Sequence, residues 1–503
     1  MPPLAPWHWR SHPLQSRTGS DIFEALFLPK PHALWTEQAI ATLLESPHSP
    51  DVLKTSEGRS PLSRYSICAG APRRVNGMAQ CWTPALGTVF STLGQLLDSS
   101  PPHLPCPGEL PFTGGWLGWL GYDVAWEIEH LSTTHADALP FPVAYWYVPD
   151  CFAVLDHWEQ TLWLAATDAS DLDRMDAVLV NAQVRTQGRA MGKGDRLYTD
   201  DQNPRVPIHF VSDQSSYEAA VMQAKKYIRD GDIFQANLSL RFSSPTQADS
   251  WSIYTALQRL NPSPFASYWH TPWGAVISCS PERLVQRRGN LAQTRPIAGT
   301  RPRGKTPAHD QGLEKELLDN RKENAEHIML VDLERNDLGR VCEWGSVSVD
   351  ELLTIERYSH VMHLVSNVMG TVRSPNTSID LIRALFPGGT ITGCPKVRCM
   401  DIIEELEPVR RNLFYGSCGY LDWRGDLDLN ILIRTLLYVP NFHELSTKTT
   451  PLRNTSIRTH TVWGQIGAGI VADSEPEREW HEALSKAQAQ LTALASSIRL
   501  IAN

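Results

Sequence analysis

Several features that would place the 503-residue chain in a special class are scarce or absent. Basic residues do not outnumber acidic ones: Lys and Arg total 46, Asp and Glu total 55, and the formal net charge is −9. This balance excludes an electrostatic basis for binding nucleic acid or an anionic membrane surface. No apolar run approaches the roughly 18 residues of a membrane helix, and the N-terminus lacks the apolar core of a signal peptide. We therefore expect a cytoplasmic protein.

The nine cysteines indicate neither a disulfide framework nor a zinc site. Their number is odd, and no two of them have the two-residue separation of a zinc knuckle. Reduced thiols are the simpler interpretation. The Gly-rich segment Phe386–Lys396 also lacks the Gly-Lys-Ser/Thr ending of a Walker loop, so a nucleotide phosphate is not expected there.

What the sequence does contain is the composition of a globular protein, with 42% hydrophobic and 20% charged residues. At roughly 150 residues per domain, its length allows about three domains or two large ones. The polar segment Gln187–Pro207 predicts an N-terminal region (residues 15–190), a linker (191–210) and a catalytic region (211–495). A second polar segment, Asn441–His460, predicts an extended hairpin loop.

Strand-like and helix-like patterns are mixed without regular alternation, which predicts an α+β fold rather than a doubly wound parallel sheet. We predict strands over Phe152–Leu155, Thr161–Ala166, Ala275–Ser278, Leu291–Thr294 and Leu429–Val439. We predict helices over Trp35–Ser46, Ser216–Asp230, Gly312–Leu338, Pro395–Glu407 and Pro476–Ile498.

Two of the predicted helices carry paired carboxylates. Glu323 and Glu326 stand three residues apart, as do Glu479 and Glu482, so each pair projects from one helix face. Four carboxylates suit a hard, oxygen-ligated cation such as Mg²⁺. The alternative for each pair alone is a solvated surface, because Glu side chains are mostly exposed.

Other features suit an anionic substrate. Backbone N–H groups of the Gly-rich turn before Pro395 can hold a carboxylate, and Arg434 can form a fork for one beside the flexible, Gly-rich segment Gly464–Val471. Glu282, at a strand end, can act as a general acid. His363 lies in an alternating, strand-like run, where a lone histidine is more often a core residue than a catalyst. Each glycine-rich segment alone is more often structural.

Longer strings are more specific. The sequence resembles the chorismate-utilising enzymes from about Ser215 to Leu491 in “GDIFQANLSLRF”, “SPERL”, “PIAGTRPRG”, “ENAEHIMLVDLERNDLGRV”, “SHVMHLVS”, “FPGGTITGCPKVRCMDIIEELEP”, “LIRT” and “GAGIVADSEPEREWHEALSKA”. The resemblance implies a large α/β sandwich of two facing antiparallel sheets with outer helices and an active site in a cleft. “QANLSLRF” and “GGTITG” resemble the aminodeoxychorismate synthase component I branch more than the anthranilate synthase component I branch.

The resemblance implies roles for the matching acidic positions. Glu326 and Glu482 match magnesium ligands, and Glu323 and Glu479 match carboxylates behind water ligands. Glu282 matches the general acid that protonates the C4 hydroxyl of chorismate as it leaves. The cation would bind the carboxylate on the substrate's ring.

Further positions match groups around the substrate. His363 matches the histidine beside the reacting ring. Arg434 and Lys486 match groups that bind the carboxylates of chorismate. Thr392 and Gly467 match residues that offer hydrogen bonds nearby.

Three positions bear on the choice of reaction. Gln235 stands where isochorismate and salicylate synthases keep a lysine that activates water, and an amide cannot serve as that base. Ala298 stands where some aminodeoxychorismate synthases carry a nucleophilic lysine, and it agrees with anthranilate synthases. “LLES”, which ends in Glu45 and Ser46, resembles a tryptophan-binding string, so tryptophan is a candidate ligand.

The reaction that the resemblance implies is magnesium-dependent amination of chorismate at C4, which gives 4-amino-4-deoxychorismate for p-aminobenzoate and folate synthesis. The first alternative is anthranilate synthase, which releases pyruvate. The second is a catalytically silent tryptophan-sensing subunit. Nothing in the sequence resembles the cysteine elbow of a glutaminase, so we expect a separate glutamine amidotransferase subunit to supply ammonia.

Overall fold

The computed structural model describes residues 7–30, 35–46, 54–55, 58–59, 61–100, 106–132, 135–187, 206–357, 361–441 and 459–502. Most of the predicted linker and of the predicted hairpin loop therefore lies outside the described residues. All nine cysteines are free thiols, in agreement with the prediction. Within the described ranges, no helix is both long enough and apolar enough to cross a bilayer.

Several helices begin where the sequence provides a capping oxygen. Thr18 and Thr377 each form a capping box with an aspartate three residues later, and Thr306 caps a helix that starts with proline. The α-helices are α1 Gly19–Leu26, α2 Val89–Asp98, α3 Ala169–Gln187, α4 Gln214–Arg229, α5 Ser250–Leu260, α6 Pro307–Asp319, α7 Arg321–Gly339, α8 Ser378–Leu385, α9 Lys396–Leu406 and α10 Pro476–Ala502.

The prediction of one helix over Gly312–Leu338 is wrong, because the chain bends between α6 and α7. Asn320 has extended dihedral angles and ends α6. Its side-chain oxygen accepts a hydrogen bond from the N–H of Glu323 (3.1 Å), which is how an asparagine caps the start of a helix. Glu323 and Glu326 therefore lie in the first turns of a separate helix.

The strands pair antiparallel throughout. In chain order they are β1 His8–Pro13, β2 Ala41–Glu45, β3 Lys54–Thr55, β4 Gly58–Arg59, β5 Tyr65–Ala69, β6 Arg74–Val75, β7 Met78–Ala79, β8 Cys81–Trp82, β9 Gly115–Leu120, β10 Ala144–Tyr147, β11 Cys151–Asp156, β12 Thr161–Ala166, β13 His209–Phe210, β14 Gln235–Thr246, β15 Phe265–Thr271, β16 Gly274–Ser280, β17 Arg283–Arg288, β18 Leu291–Arg295, β19 Ile297–Pro302, β20 Ser348–Arg357, β21 Val361–Thr371, β22 Gly393–Cys394, β23 Ser417–Asp422, β24 Leu427–Asn430, β25 Thr435–Val439 and β26 His460–Ile470.

Two large sheets make up the sandwich. The twelve-stranded sheet has the order β1-β12-β11-β5-β2-β15-β16-β25-β26-β14-β13, with β22 beside β14. The ten-stranded sheet has the order β19-β21-β18-β17-β24-β23-β9-β10-β8, with β20 beside β21. Each sheet combines strands from both sides of the predicted linker, since β2 pairs with β15 and β9 with β23. The α+β sandwich is thus confirmed, while the division into two regions stays a prediction.

The hydrophobic core has two layers. Between the sheets, Trp119 of β9 and Trp269 of β15 meet edge to face, with ring centroids 5.8 Å apart. A second cluster joins the other face of the twelve-stranded sheet to α1, α3, α4, α5 and α10, which are the expected outer helices. Helix α7 packs on β19 and β21 at the edge of the ten-stranded sheet. Helices α7 and α10 therefore pack against different sheets.

Three local predictions are wrong. Trp35–Ser46 is not a helix: after a short 3₁₀ turn it forms β2, because its apolar run is buried between β5 and β15, where a strand satisfies the backbone on both sides. Leu429–Val439 is not one strand: β24 belongs to the ten-stranded sheet and β25 to the twelve-stranded sheet. Gly464–Val471 is not a flexible turn, because most of it lies in β26, paired with β14 and β25.

Candidate active site

Glu282 lies at the junction between β16 and β17, as the strand pattern predicts. Its carboxyl is only 5% exposed, and burial raises its pKa to about 8. Interactions with the Thr390 hydroxyl and the backbone of Ile297 offset only part of this rise. The carboxyl therefore keeps its proton at neutral pH, which is the state that a general acid needs.

His363 lies on β21, opposite Thr300 of β19. The Oγ1 atom of Thr300 is 2.9 Å from Nδ1 of His363 and fixes the orientation of the imidazole. Burial, followed by the charge of Arg434, lowers the pKa of His363 to about 4, so the ring is neutral at physiological pH. Ala298 belongs to the same β19 segment, which runs beside His363.

Arg434 lies in the crossing from β24 to β25, with φ of +52°. Its Nη1 donates to the backbone oxygen of Lys486 on α10 (2.7 Å), and burial lowers its pKa. Within the part of the chain that the structure describes, its guanidinium has no carboxylate partner. A largely desolvated arginine without a counter-charge is a strong candidate for binding a carboxylate of a ligand.

Lys486 connects α10 to the strand beneath it. Its Nζ donates to the backbone oxygen of Gly467 on β26 (3.2 Å) and contacts the carboxylate of Glu482 (2.8 Å). A Cβ atom at Gly467 would lie 2.8 Å from the hydroxyl of Tyr415 and 2.9 Å from Oδ1 of Asn237. Only glycine at this position therefore lets the Tyr415 hydroxyl, the Asn237 amide and the backbone oxygen of Leu238 (2.6 Å) pack this closely against β26.

Two buried amide oxygens face this glycine-lined strand. Oε1 of Gln235 and Oδ1 of Asn237 are buried and have no hydrogen-bond partner among the residues that the structure describes. A Cβ atom at Gly469 would lie 2.6 Å from Nε2 of Gln235. Unpaired buried amide oxygens are costly, and a ligand with hydrogen-bond donors can satisfy them. Asn237 and Tyr415 are site residues that the motif analysis missed.

The turn at 388–392 joins the two sides of the cleft. The backbone oxygen of Thr392 accepts from the N–H of Asn237 (2.9 Å), and Thr390 counteracts the rise in the pKa of Glu282. The hydroxyl of Thr392 donates to the backbone oxygen of Gly388 (2.9 Å), so it closes its own turn. The anion-binding role of the N–H groups in this turn stays a prediction.

Several of the predicted residues are linked to one another in the structure. The backbone of Thr392 contacts Asn237 on β14, and Arg434 contacts the backbone of Lys486 on α10. The charge of Arg434 also acts on His363, which pairs with Thr300 of β19. Together they offer an acid with a raised pKa, an imidazole with a lowered pKa and a guanidinium that has no carboxylate partner among the described residues.

The predicted metal ligands lie on α7 and α10. Oε1 of Glu323 accepts from Arg301 (2.9 Å), whereas its Oε2 is buried without a partner, and a Cβ at Gly299 would lie 2.9 Å from that atom. A carboxylate oxygen that has no hydrogen-bond partner among the described residues is a chemically suitable ligand for a hard cation. Glu326 lies one turn further along α7, and Glu479 and Glu482 lie on α10.

The four glutamates are not assembled into a closed ligand set. Among the described residues, only Asp150, Cys151 and Asp171 bring three potential ligand atoms within 4.8 Å of one another. That cluster lies on β11 and near α3, and Arg174 pairs with Asp171 (2.8 Å), so a cationic side chain is already present. It gives no support for a second metal site.

Glu334 is a further acidic residue that the motif analysis missed. It is 4% exposed and lies on α7, and its Oε2 has no hydrogen-bond partner. The sequence does contain a pattern that includes Glu334: at 100° per residue, the acidic positions 323, 326, 334 and 337 lie on one face of α7. Such a face would ordinarily be expected to be exposed to solvent.

Glu45 and Ser46 border a separate cavity of about 100 Å³ between the sheets. The carboxylate of Glu45 accepts hydrogen bonds from the N–H and hydroxyl of Ser20 and from the hydroxyl of Tyr254, so it holds α1 and α5. Burial raises its pKa. The Ser46 hydroxyl donates to the backbone oxygen of Pro264 in the cavity wall. The cavity is also lined by the polar side chains of Arg283, Gln286, Arg288, Asp428 and Asn430.

Comparisons with known proteins identify the family of the chain. The family model described as “chorismate binding enzyme” matches residues 79–492. An anthranilate synthase component I-like protein of Synechocystis is 55% identical, over 98% of this chain and 92% of its own. Aminodeoxychorismate synthase component 1 of Bacillus subtilis is 44% identical, over 76% of this chain and 77% of its own.

Solved structures extend the comparison to the fold. Anthranilate synthase component I of Streptococcus pneumoniae superposes with a TM-score of 0.66 at 31% identity, over 87% of this chain and 95% of that chain. The menaquinone-specific isochorismate synthase of Escherichia coli has a TM-score of 0.65 at 16% identity, over 98% of this chain and 96% of its own, which shows the shared fold alone. The chain belongs to the chorismate-binding enzyme family and is similar to anthranilate synthase component I.

Proposed function

We propose that this enzyme aminates chorismate at C4 in a magnesium-dependent reaction and forms 4-amino-4-deoxychorismate for p-aminobenzoate and folate synthesis. The observation that carries the proposal is the buried Arg434, without a carboxylate partner among the described residues, beside the neutral His363. Chorismate is a dicarboxylate with a hydroxyl leaving group, so it needs a cationic clamp and a proton donor. Arg434 and Lys486 supply the clamp, and Glu282 supplies the proton.

The proton balance follows from these assignments. Glu282 gives its proton to the C4 hydroxyl, which departs as water, and ammonia forms the new C–N bond. The ammonium nitrogen then releases one proton, which restores the acid. His363 is neutral, so it adds no positive charge beside the reacting ring of chorismate.

Glu326 and Glu482 are the proposed direct ligands of Mg²⁺, with Glu323 and Glu479 holding its water ligands. Bound there, the cation would act as a Lewis acid and template for the ring carboxylate. The buried, unpartnered Oε2 of Glu323 supports this assignment.

Ammonia is the proposed nucleophile because Gln235 cannot act as a base toward water. Several relatives are named component 1, which fits a subunit that works with a second component. We propose that this second component is a glutamine amidotransferase that delivers ammonia to the cleft.

Anthranilate synthase is the second candidate, and Ala298 favours it. This position has a methyl group where a covalent mechanism at C4 would need a lysine. The component I-like protein of Synechocystis and the anthranilate synthase component 1 of Thermus thermophilus, 41% identical over 88% of this chain and 91% of its own, also point this way. A tryptophan-sensing subunit without activity is disfavoured, because the acid, the guanidinium and the carboxylates are all present.

The product of the reaction separates these candidates. We expect purified enzyme given chorismate, Mg²⁺ and ammonium salt to form 4-amino-4-deoxychorismate, detected by mass spectrometry, without pyruvate or fluorescent anthranilate. The peptide containing Ala298 should carry no chorismate-derived mass, whereas Ala298→Lys should be able to form such an adduct. Pyruvate release with a fluorescent product identifies anthranilate synthase, and no turnover identifies the sensing subunit.

We further propose that tryptophan binds at the cavity beside Ser46. As it stands, the cavity is smaller than the about 150 Å³ that accommodates benzene, so its rim must open. We expect L-tryptophan to raise the Tm of the wild type and Ser46→Leu to abolish this rise without changing turnover in the absence of tryptophan. A rise that persists in Ser46→Leu contradicts this placement.

A further inference from the structure

Arg411 is a buried cation for which the proposed mechanism has no role, with 2% of its surface exposed. Its guanidinium forms a two-pronged ion pair with Glu407, in which Nε donates to Oε2 (3.0 Å) and Nη2 donates to Oε1 (2.6 Å). Burying two charges costs about as much free energy as their attraction returns, so stability alone is a weak reason for such a pair. The other contacts of the pair show what it holds in place.

The remaining donors of Arg411 bind two further segments of the chain. Nη1 donates to the backbone oxygen of Ile391, in the turn that precedes β22 (2.9 Å), and Nη2 also donates to the backbone oxygen of Asn237 on β14 (2.7 Å). Oε1 of Glu407 accepts from both the N–H (2.8 Å) and the hydroxyl (2.7 Å) of Ser239, two residues further along β14. Charge-assisted hydrogen bonds thus fix the turn and the start of β14 to one ion pair.

The same guanidinium packs on Tyr415. Its Cζ atom lies 4.6 Å from the centroid of the Tyr415 ring, a distance at which a cation and an aromatic face attract each other. Tyr415 has φ of +64°, a left-handed conformation that a bulky residue rarely adopts and that persists only where its surroundings hold it. Arg411 is one of the groups that hold it.

Asn237 and Tyr415 meet at Gly467 on β26. A Cβ atom there would lie 2.8 Å from the Tyr415 hydroxyl and 2.9 Å from Oδ1 of Asn237. That amide oxygen is buried and has no hydrogen-bond partner among the described residues, so it is open to a ligand. The backbone oxygen of Gly467 accepts from Nζ of Lys486, which belongs to the proposed substrate clamp (3.2 Å). Arg411 thus holds both residues whose polar atoms meet at this point of the site.

We propose that Arg411, paired with Glu407, is a positioning residue that holds Asn237 and Tyr415 in the arrangement that binds chorismate. This inference rests on the proposed function, because chorismate is the proposed ligand. Arg411 acts through these two residues and does not contact the substrate. Lysine cannot replace it, because a single ammonium group lacks the planar fork that serves Glu407, Ile391 and Asn237 at once.

The test is the affinity of Arg411→Lys for chorismate, measured by calorimetry with Mg²⁺ present. We expect it to fall about tenfold, which corresponds to about 1.4 kcal/mol of binding free energy. KM should rise by a similar factor, and kcat should fall by less, because none of the described contacts of Arg411 is with Glu282. Those contacts also involve neither α7 nor α10, so magnesium affinity measured without substrate should match the wild type.

Two comparisons separate positioning from a general loss of structure. Arg64 forks on Asp156 between β5 and β11, with distances of 3.1 Å and 2.8 Å to Oδ2, and Arg64→Lys should leave chorismate affinity unchanged. Asn237→Ala should weaken chorismate binding by itself. Combined with Arg411→Lys, the loss should be smaller than the product of the two single losses, because both variants disturb the same contact.

Glu407→Asp provides a second variant if Arg411→Lys does not fold. It keeps the charge, but its shorter side chain cannot reach both Arg411 and Ser239, so chorismate affinity should again fall while magnesium affinity is kept. If neither variant folds although Arg64→Lys does, the pair is structural and the inference is overturned.

Wild-type chorismate affinity in a folded Arg411→Lys enzyme also overturns the inference. The same holds for a parallel loss of magnesium affinity, for an equal loss of chorismate affinity in Arg64→Lys, or for a double variant that shows the full product of the single losses. Failure of the proposed function has a different signature, because the wild type itself would then neither bind nor consume chorismate.

Discussion

The Glu282→Gln enzyme is expected to turn over chorismate about 10²–10⁴-fold more slowly than the wild type while still binding it. Glutamine keeps the shape of the side chain but cannot transfer a proton to the departing hydroxyl. The substrate clamp, Arg434 and Lys486, is untouched, so chorismate affinity measured by calorimetry should change little. Turnover is measured at saturating chorismate with ammonium salt as the nitrogen source.

The exposed Glu343 offers a matched control, because Glu343→Gln removes a carboxylate at the surface and should leave turnover intact. A stability measurement provides a second check on the buried acid. The folded-state pKa of Glu282 is about 8, above its usual value, so the stability that it contributes is lost as pH rises through about 8. The Tm of Glu282→Gln should therefore improve relative to wild type in alkaline buffer. Wild-type turnover by Glu282→Gln would reduce Glu282 to a structural residue.

The second large effect concerns the metal. Glu326→Gln removes one negative charge that a cation needs and leaves α7 intact, so turnover should fall at least about 100-fold and recover only partly with excess Mg²⁺. Magnesium affinity measured by calorimetry without substrate should fall in parallel. Because this readout is independent of catalysis, it separates a lost ligand from a damaged active site.

Glu477 provides the control for the metal prediction. It is exposed in the first turn of α10, the helix of Glu479 and Glu482, and Glu477→Gln removes a single negative charge as Glu326→Gln does on α7. Its magnesium affinity and turnover should match the wild type. Equal magnesium affinity in Glu326→Gln and the wild type would remove Glu326 from the ligand set.

Long motifs predicted the secondary structure around several candidate site residues, because these residues lie at fixed points of regular elements. The alternating pattern around His363 and the strand end at Glu282 both appear in the structure, on β21 and before β17. Local pattern failed where tertiary pairing decided the conformation. The run that ends at Glu45 is compatible with a helix, and only its position between β5 and β15 makes it a strand.

Other features depended on contacts between distant segments. No pattern in residues 427–439 reveals that β24 and β25 belong to different sheets, since both are short apolar strands. The burial of Glu334 depends on the approach of Gly389, which lies 55 positions later in the chain. The cavity beside Ser46 likewise exists only because the rim of one sheet meets the other.

The crossing at 431–434 ties catalytic geometry to the spacing of the sheets. The N–H of Ile431 donates to the backbone oxygen of Glu282 (3.0 Å), and Arg434 reaches α10 through the backbone oxygen of Lys486. The four residues 431–434 thus connect Glu282 to Arg434 between the two sheets. This segment is too short to allow the distance between them to change much. The distance between the proposed proton donor, Glu282, and the proposed carboxylate-binding residue, Arg434, is therefore set by the separation of the two sheets. A ligand that contacts both residues must match this distance, and a shorter ligand can contact only one of them.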